Sequence, residues 1–276
     1  MLCMKEIKDV FERSITKEYR PKIWSKFVSA LKQYKLLKPN DHVLVCVSGG
    51  KDSTLMARLF IQLKKHSDFD FRTTFVVLNP GYKKEDLDKI KSNLDILSIE
   101  ALFVDIDPKE IIDSKDKSSC FLSTKFNKGT LYKVAKENDC NKIAFGHHYD
   151  DVIETTMMNM LSLGSFQSIP PRYKPEDFDG IAIIRPMYLI REKDIESWMK
   201  YHDLHLIDHA YKFRDDSNEI ALQREATKKL IHDLKTNYNI QVEKNIFKST
   251  ANVTIDMILG YSKNGKNYYY LDDYDE

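Results

Sequence analysis

Val43-Leu44-Val45-Cys46-Val47-Ser48-Gly49-Gly50-Lys51-Asp52-Ser53-Thr54-Leu55-Met56-Ala57 is the stretch that decides the fold. A strand-like apolar run stops at Ser48, two glycines follow, and an amphipathic helical pattern begins at about Ser53, so the segment reads strand, tight loop, helix. Gly49 and Gly50 let the backbone close on a bound group. The start of the next helix points unpaired N–H groups and its positive dipole end at the same spot. Lys51 adds a point charge, and the hydroxyls of Ser48, Ser53 and Thr54 suit phosphate oxygens. A glycine-rich strand–helix turn with no ligand is the plain alternative. Neither the Walker pattern nor the dinucleotide-binding pattern fits the spacing.

Downstream, Phe71 to Asn79 reads as a second strand closed by Pro80-Gly81, residues 84–98 as a helix and Ala101 to Asp105 as a third strand. A helix near 127–138 and a strand at Lys142 to Gly146 continue the alternation, and Ile181 to Ile184 adds another strand. The expected fold is therefore α/β: a doubly wound, mostly parallel sheet with helices on both faces and ligands beyond the carboxyl ends of the strands. Amino-terminal helices at 5–19 and 21–36 precede it, separated at Pro21, with Trp24, Phe27, Leu31 and Tyr34 on one face. Residues 191–202 read as an amphipathic helix with Ile195 and Trp198 inward, and 218–235 as a basic helix. The expected division is a basic helical segment at 1–40, an α/β domain at 41–202, a helical region at 203–265 and a weakly ordered acidic, aromatic tail at 266–276.

The chain of 276 residues, 42% hydrophobic and 31% charged, has the composition of a soluble protein, and no run approaches a membrane span. Its amino terminus lacks a signal-peptide pattern and its cysteines, at 3, 46, 120 and 140, form no disulfide framework, so a cytoplasmic protein is expected. Residues 1–40 carry ten Lys or Arg against four Asp or Glu, an excess of +6 that leaves about −5 elsewhere from the total of +1. That permits contact with a polyanion without demanding it; from charge alone a solvated lysine face is the simpler reading.

Gly146-His147-His148-Tyr149-Asp150-Asp151 is the second chemically dense segment, at the end of a strand and the start of a helix. Either aspartate can cap the helix. Beside a nucleotide loop, a carboxylate here suits Mg²⁺ held between phosphates, Asp151 before Asp150. Met157, Met158, Met160 and Leu161 follow as a helical stripe expected in the core.

Ser48-Gly49-Gly50-Lys51-Asp52-Ser53 resembles the signature of the PP-loop ATP pyrophosphatases. Taken with Cys120-Phe121-Leu122-Ser123, Lys128-Gly129-Thr130-Leu131-Tyr132, the 146–151 segment, Ile169-Pro170-Pro171, Ile184-Arg185-Pro186, Arg191-Glu192-Lys193 and Leu222-Gln223-Arg224, the order resembles the tRNA 2-thiocytidine synthetase family over residues 40–250. The resemblance implies a fold of the PP-loop type and an enzyme that adenylates the 2-oxo group of a tRNA pyrimidine and replaces it with sulfur. ATP would lie on Ser48, Gly49, Gly50, Lys51, Asp52, Ser53, Gly146 and His147. Lys51, Asp52, Cys120 and Asp151 would carry the chemistry, with Mg²⁺ at Asp150 and Asp151.

The chain departs from that family at its cluster cysteines. Cys120 matches the first of a Cys-x-x-Cys pair, Ser123 stands at the second, and residues 207–212 hold no cysteine. One thiolate does not make a conventional iron–sulfur site. Cys120 then acts as a lone sulfur carrier or is merely buried, or the nucleophile is an amine, as in lysidine synthetase. A non-catalytic ATP- or RNA-binding relative and a small-molecule amidating enzyme are the remaining alternatives. The expected partners are tRNA and a sulfur-donor protein, with no membrane. The oligomeric state stays open, a homodimer included. Lys128, Arg172, Lys174, Arg191 and Arg224 are RNA-contact candidates, as are Lys22 and Lys26; Arg191 and Arg224 can equally hold carboxylates.

Overall fold

The computed structural model describes residues 10–106, 128–175, 180–204 and 217–273. Strands β1 (His42–Val47), β2 (Arg72–Asn79), β3 (Ala101–Asp105), β4 (Lys142–Ala144), β5 (Arg172–Tyr173) and β6 (Ala182–Ile184) form one sheet in the order β3-β2-β1-β4-β6-β5. All pairings are parallel except that of β5 with β6. The chain steps outward from β1 to β2 and β3, then returns to place β4 on the other side of β1. That reversal opens a crevice beyond the carboxyl ends of β1 and β4, where the helices that follow them diverge. The 48–53 loop and the 146–151 turn both emerge there.

β1 is buried along its whole length. Its residues alternate between two cores, as the period of a strand requires. Val43, Val45 and Val47 join Phe27, Leu55, Phe60, Ile195 and Trp198 on one face; Leu44 and Cys46 join Leu131, Val134 and Ile143 on the other. Burying each of the larger side chains contributes about 1.5–3 kcal/mol. The first core is walled by α1 (Ser25–Gln33), α2 (Lys51–His66), α3 (Lys84–Leu97) and α6 (Glu192–Tyr201), the second by α4 (Lys128–Glu137). α5 (Tyr149–Leu163) follows β4, and α7 (Ser217–Asn237) and α8 (Val242–Ser249) pack on it.

Several readings of the sequence change in detail. Pro21 does not separate two helices: the chain keeps a helical path through wide turns at Ser14–Glu18 and Arg20–Trp24, with Tyr19 N–H donating to the Ser14 carbonyl. A wide turn accommodates a residue that has no N–H to give. The methionine stripe of α5 is not core. Met160 and Leu161 are exposed and Met157 and Met158 half-buried, because the buried positions of that helix are Asp151, Val152, Ile153, Glu154, Thr156 and Asn159 instead. The basic loop at 170–175 contains β5, and the region expected to end in a weakly ordered tail contains a hairpin of β7 (Gly260–Lys263) and β8 (Lys266–Tyr269). Tyr261 and Tyr268 stack across it at 4.8 Å. Among the described residues no helix is long and apolar enough to cross a membrane.

Candidate active site

A cleft of about 250 Å³ lies in the crevice, lined by Ser48, Lys51, Asp52 and Ser53 from the first loop and by Gly146, His147, His148 and Asp151 from the second. Glu192 of α6 and Arg224 and Lys228 of α7 close it, and Cys46 and Phe145 line it from the sheet. Gly49 has φ +79°, a backbone that disfavours a side chain, and Gly50 begins α2 in an extended conformation. The loop is tied internally. Ser48 N–H donates to Ser53 Oγ at 3.0 Å, Ser53 Oγ lies 3.1 Å from the Gly50 carbonyl, and Tyr82 donates to the Ser48 carbonyl at 3.3 Å. The sixteen-residue α2 then directs its first N–H groups and positive end toward the cleft.

Gly146 is where the two loops touch. A Cβ there would meet the Asp52 carbonyl carbon and the Ser53 nitrogen at 3.1 Å, so the position brings two backbones together rather than furnishing a functional group. Lys51 Nζ lies 2.9 Å from Glu192 Oε1 and 3.4 Å from Asp52 Oδ2. Burial by itself would lower the lysine's pKa, but Asp52 and Glu192 more than offset it and hold the group above the ordinary lysine range. Burial likewise works against the Glu192 carboxylate, yet Lys51 and Lys228 draw it down to about 2. Burial raises Asp52, with His148 and Lys51 opposing. Its Oδ1 is buried, accepts no hydrogen bond among the described residues, and lies 3.6 Å from His148 Nε2.

His148 caps α5. Asp151 N–H donates to its Nδ1 at 3.3 Å, and His148 N–H donates to Asp151 Oδ2 at 2.8 Å, a reciprocal capping box. Burial would raise Asp151, but His148 and Arg224 outweigh it and keep the carboxyl well below the usual carboxylate range. Arg224 pairs with Asp151 and, at 2.7 Å, with Glu154, while Lys228 reaches Glu192 at 2.8 Å and Glu154 at 3.6 Å. His147 accepts from Arg185 Nε at 3.1 Å. Burial and then Arg185 drive its pKa far down, so it stays neutral.

The structure therefore gathers Ser48, Lys51, Asp52, Ser53, Gly146, His147, Asp151 and Arg224, among the residues singled out from the sequence, around one cleft, with Gly49 and Gly50 shaping its loop. Asp150 turns elsewhere: its oxygens accept from Arg191 Nε at 3.0 and 3.2 Å, and Oδ2 also from the Glu192 N–H at 2.7 Å. Arg191 is occupied by Asp150 and by Glu243 of α8 at 2.7 Å, and so joins helices instead of facing a ligand. Arg172 and Lys174 are exposed on and beside β5, away from the cleft. Cys120 and the side chain of Lys128 lie outside the described residues. Glu192, Glu154 and Lys228 were missed as site residues. The signal for Lys228 is its position four residues after Arg224, which puts both on one face of α7.

The cleft's chemistry is that of a polyphosphate site. A glycine-shaped loop, a helix start and Lys51 face the same space as Asp52 Oδ1, an acceptor lacking a donor. Among the described residues no three His, Cys, Asp or Glu side chains group to hold a metal by themselves. A hard cation here would be shared with phosphate oxygens. The thiols of Cys46 and Cys140 are buried, and burial pushes Cys140 up to about 11 and Cys46 higher still. Neither is an available thiolate at neutral pH.

The PP-loop domain family matches residues 20–228. The tRNA-cytidine(32) 2-sulfurtransferase of Hahella chejuensis is 32% identical over 230 residues, covering 81% of this chain and 78% of that protein. The protein of the same name from Photobacterium profundum is 32% identical over 232 residues, covering 82% and 74%. Among solved structures, the U34-tRNA thiolase NcsA from Methanococcus maripaludis with its 4Fe–4S cluster superposes with a TM-score of 0.62 at 20% identity, over 83% of this chain and 78% of that one. At that identity the likeness is one of fold.

Proposed function

The chain belongs to the PP-loop family as a relative of the tRNA-cytidine(32) 2-sulfurtransferases and is an ATP-dependent tRNA-thiolating enzyme; we propose that its acceptor is the 2-oxo group of a tRNA cytidine. The observation that carries this reading is the convergence of Lys51, Asp52 and Asp151 on one cleft at the start of α2.

ATP supplies the activation, because transfer of its adenylyl group to the 2-oxo oxygen, with release of pyrophosphate, turns a poor leaving group into AMP. The protein's part is positioning and charge. Lys51 and the N–H groups of the 48–53 loop hold the pyrophosphate as its negative charge grows. For Lys51 to turn to phosphate, Glu192 must give up its partner, and Lys228 stands ready to keep the freed carboxylate paired. Arg224 fixes Asp151 against Glu154 and keeps it ionised. The residues that would hold Mg²⁺ are Asp52, through its undonated Oδ1, and Asp151; the cation would screen the phosphate charges. Asp150 is replaced in this role by Asp52.

The outer sulfur of a persulfide then attacks the activated C2 and AMP leaves with the original oxygen; a low-molecular-weight thiol cleaves the S–S bond of the resulting adduct, leaving the thio group on the base and the carrier cysteine in a mixed disulfide that a second thiol reduces. We propose Cys120 as the carrier, charged by a separate sulfur-donor protein, with no conventional cluster, since the chain has Ser123 where a second cluster cysteine would stand. Mass analysis of nucleosides after incubation with tRNA, ATP, a persulfide donor and a thiol reductant tests the reading. It expects a thiolated cytidine formed with tRNA-dependent release of AMP and pyrophosphate. ATP cleavage indifferent to tRNA, with no thiolated base, would overturn it.

A further inference from the structure

A second cavity, of about 590 Å³, lies between the amino-terminal helical segment and the 67–69 turn. Its floor is apolar, with Val28, Leu31, Leu37 and Leu63, and two aromatic rings, Trp24 and Phe69, stand in its wall. Around them are Arg20, Lys32, Lys35 and Lys38, all exposed, against the single acid Asp68. The ion pairs nearby are made by other residues, Lys65 with Glu12 and Lys142 with Asp41. Among the described residues these four cations have no carboxylate within ion-pair distance. Arg172 extends the basic rim: its Nη1 donates to the Lys35 carbonyl at 3.2 Å.

The location matters as much as the lining. Lys38 precedes β1 and Phe69 precedes β2, so the groove opens beyond the amino ends of these strands, and the carboxyl end of β1 carries the 48–53 loop. The six residues of β1 separate the two by about 20 Å at ~3.3 Å per residue. A ligand engaging both is macromolecular.

We propose that this groove is a second tRNA-binding site, in which an unpaired nucleotide stacks on Trp24 or Phe69 and the flanking phosphates meet Lys32, Lys35, Lys38 and Arg172. This rests on the tRNA reading above and adds where else the substrate is held. Cations beside aromatic rings over an apolar floor suit a nucleic acid strand, whose charge lies outside and whose bases offer flat apolar faces. An acidic protein would satisfy the lysines but has no general use for the rings. Four of the ten Lys and Arg residues of the first forty line the groove.

The chain has two tryptophans, and Trp198 is fully buried, so ligand-dependent emission change reports mainly on Trp24. Full-length protein is titrated with unmodified tRNA and, separately, with polyglutamate, following tryptophan emission and affinity across a salt series. The comparison proteins are Trp24→Phe and the triple variant Lys32→Gln/Lys35→Gln/Lys38→Gln, each checked for folding by circular dichroism. The expected result is quenching by tRNA alone, lost in Trp24→Phe. In the triple variant tRNA affinity should fall about tenfold near 0.1 M salt and the slope of log K against log salt should shrink by about 2–3. ATP binding should stay unchanged. Wild-type tRNA affinity and slope in the triple variant, or equal quenching by polyglutamate, would overturn the groove while leaving the activity standing. Absence of tRNA binding by the wild-type chain even at low salt would overturn the enzymatic reading as well.

Discussion

Lys51 Nζ and Glu192 Oε1 lie 2.9 Å apart although 141 residues separate them in the chain. The cation of the nucleotide loop is held by a carboxylate from the opening turn of α6. Lys51→Ala should therefore lower tRNA-dependent AMP formation by about 10²–10³-fold, the scale for removing one preorganised stabiliser of developing charge. Release of pyrophosphate, measured with circular dichroism as a folding control, checks this; near-normal turnover would remove Lys51 from the mechanism.

Glu192→Gln should act in the opposite sense on binding. Freed of its carboxylate partner, Lys51 no longer has to break an ion pair to meet phosphate, so ATP should bind several-fold more tightly while its turnover does not rise in proportion. Isothermal titration with a non-hydrolysable ATP analogue reads the effect. Weaker binding would mean that Glu192 positions Lys51 for the nucleotide instead of competing for it.

Gly146→Ala places a methyl group against the backbone of Asp52 and Ser53 at 3.1 Å. The loop must yield by a few tenths of an ångström, at a cost of about 1–3 kcal/mol if the packing resists. We expect a lower melting temperature together with a raised KM for ATP. A stability loss with unchanged ATP kinetics would show that the contact matters for folding alone.

His202 supplies a pH dependence outside the active site. It sits against Phe11 and Trp198 at ring distances of 4.3 and 4.7 Å, and its Nε2 lies 2.7 Å from Ser14 Oγ. Burial, with Arg58 adding to it, lowers its pKa to about 4. The unfolded chain takes up the proton near pH 6.5 and the folded chain resists to about 4, so His202 favours folding above that window and ceases to as pH falls through it. Denaturant midpoints at pH 7.5 and 4.5 should differ more in the wild type than in His202→Gln, by about 1–2 kcal/mol after discounting for partial exposure. Equal pH dependence in both proteins would refute it.

Arg191→Ala should loosen α8. Arg191 ties Asp150 to Glu243, which also binds Lys235 at 2.8 Å, and Tyr149 stacks on Phe247 of the same helix at 4.3 Å. We expect about 1–3 kcal/mol of destabilisation and faster proteolysis near residue 250, with little change in the salt dependence of tRNA binding. A reduced salt slope would return Arg191 to the RNA surface.

The α/β fold was legible because a buried parallel strand and its following helix leave plain marks: the apolar run at 43–47, the glycines, and the change of period at Ser53. The loop residues of the cleft were legible for the same reason, each lying within a short motif. What closes the cleft was not. Glu192 and Lys228 reach it from α6 and α7, and no local pattern says that two separate helices will turn charged side chains to one point. Asp150 and Asp151 show the limit most clearly. They are adjacent and chemically identical, so only the helix's rotation decides that one faces Arg191 and the other the cleft. β5, with two residues, and the tyrosine-rich hairpin fall below the length at which alternation is visible.

The capping box at the start of α5 has a consequence for hydrogen placement. Because His148 Nδ1 accepts the Asp151 amide, the neutral ring must carry its hydrogen on Nε2, the nitrogen 3.6 Å from Asp52 Oδ1. A backbone contact made for a helix end thus selects the imidazole tautomer, and with it the direction of a dipole aimed at a buried carboxylate oxygen that has no hydrogen-bond donor among the described residues.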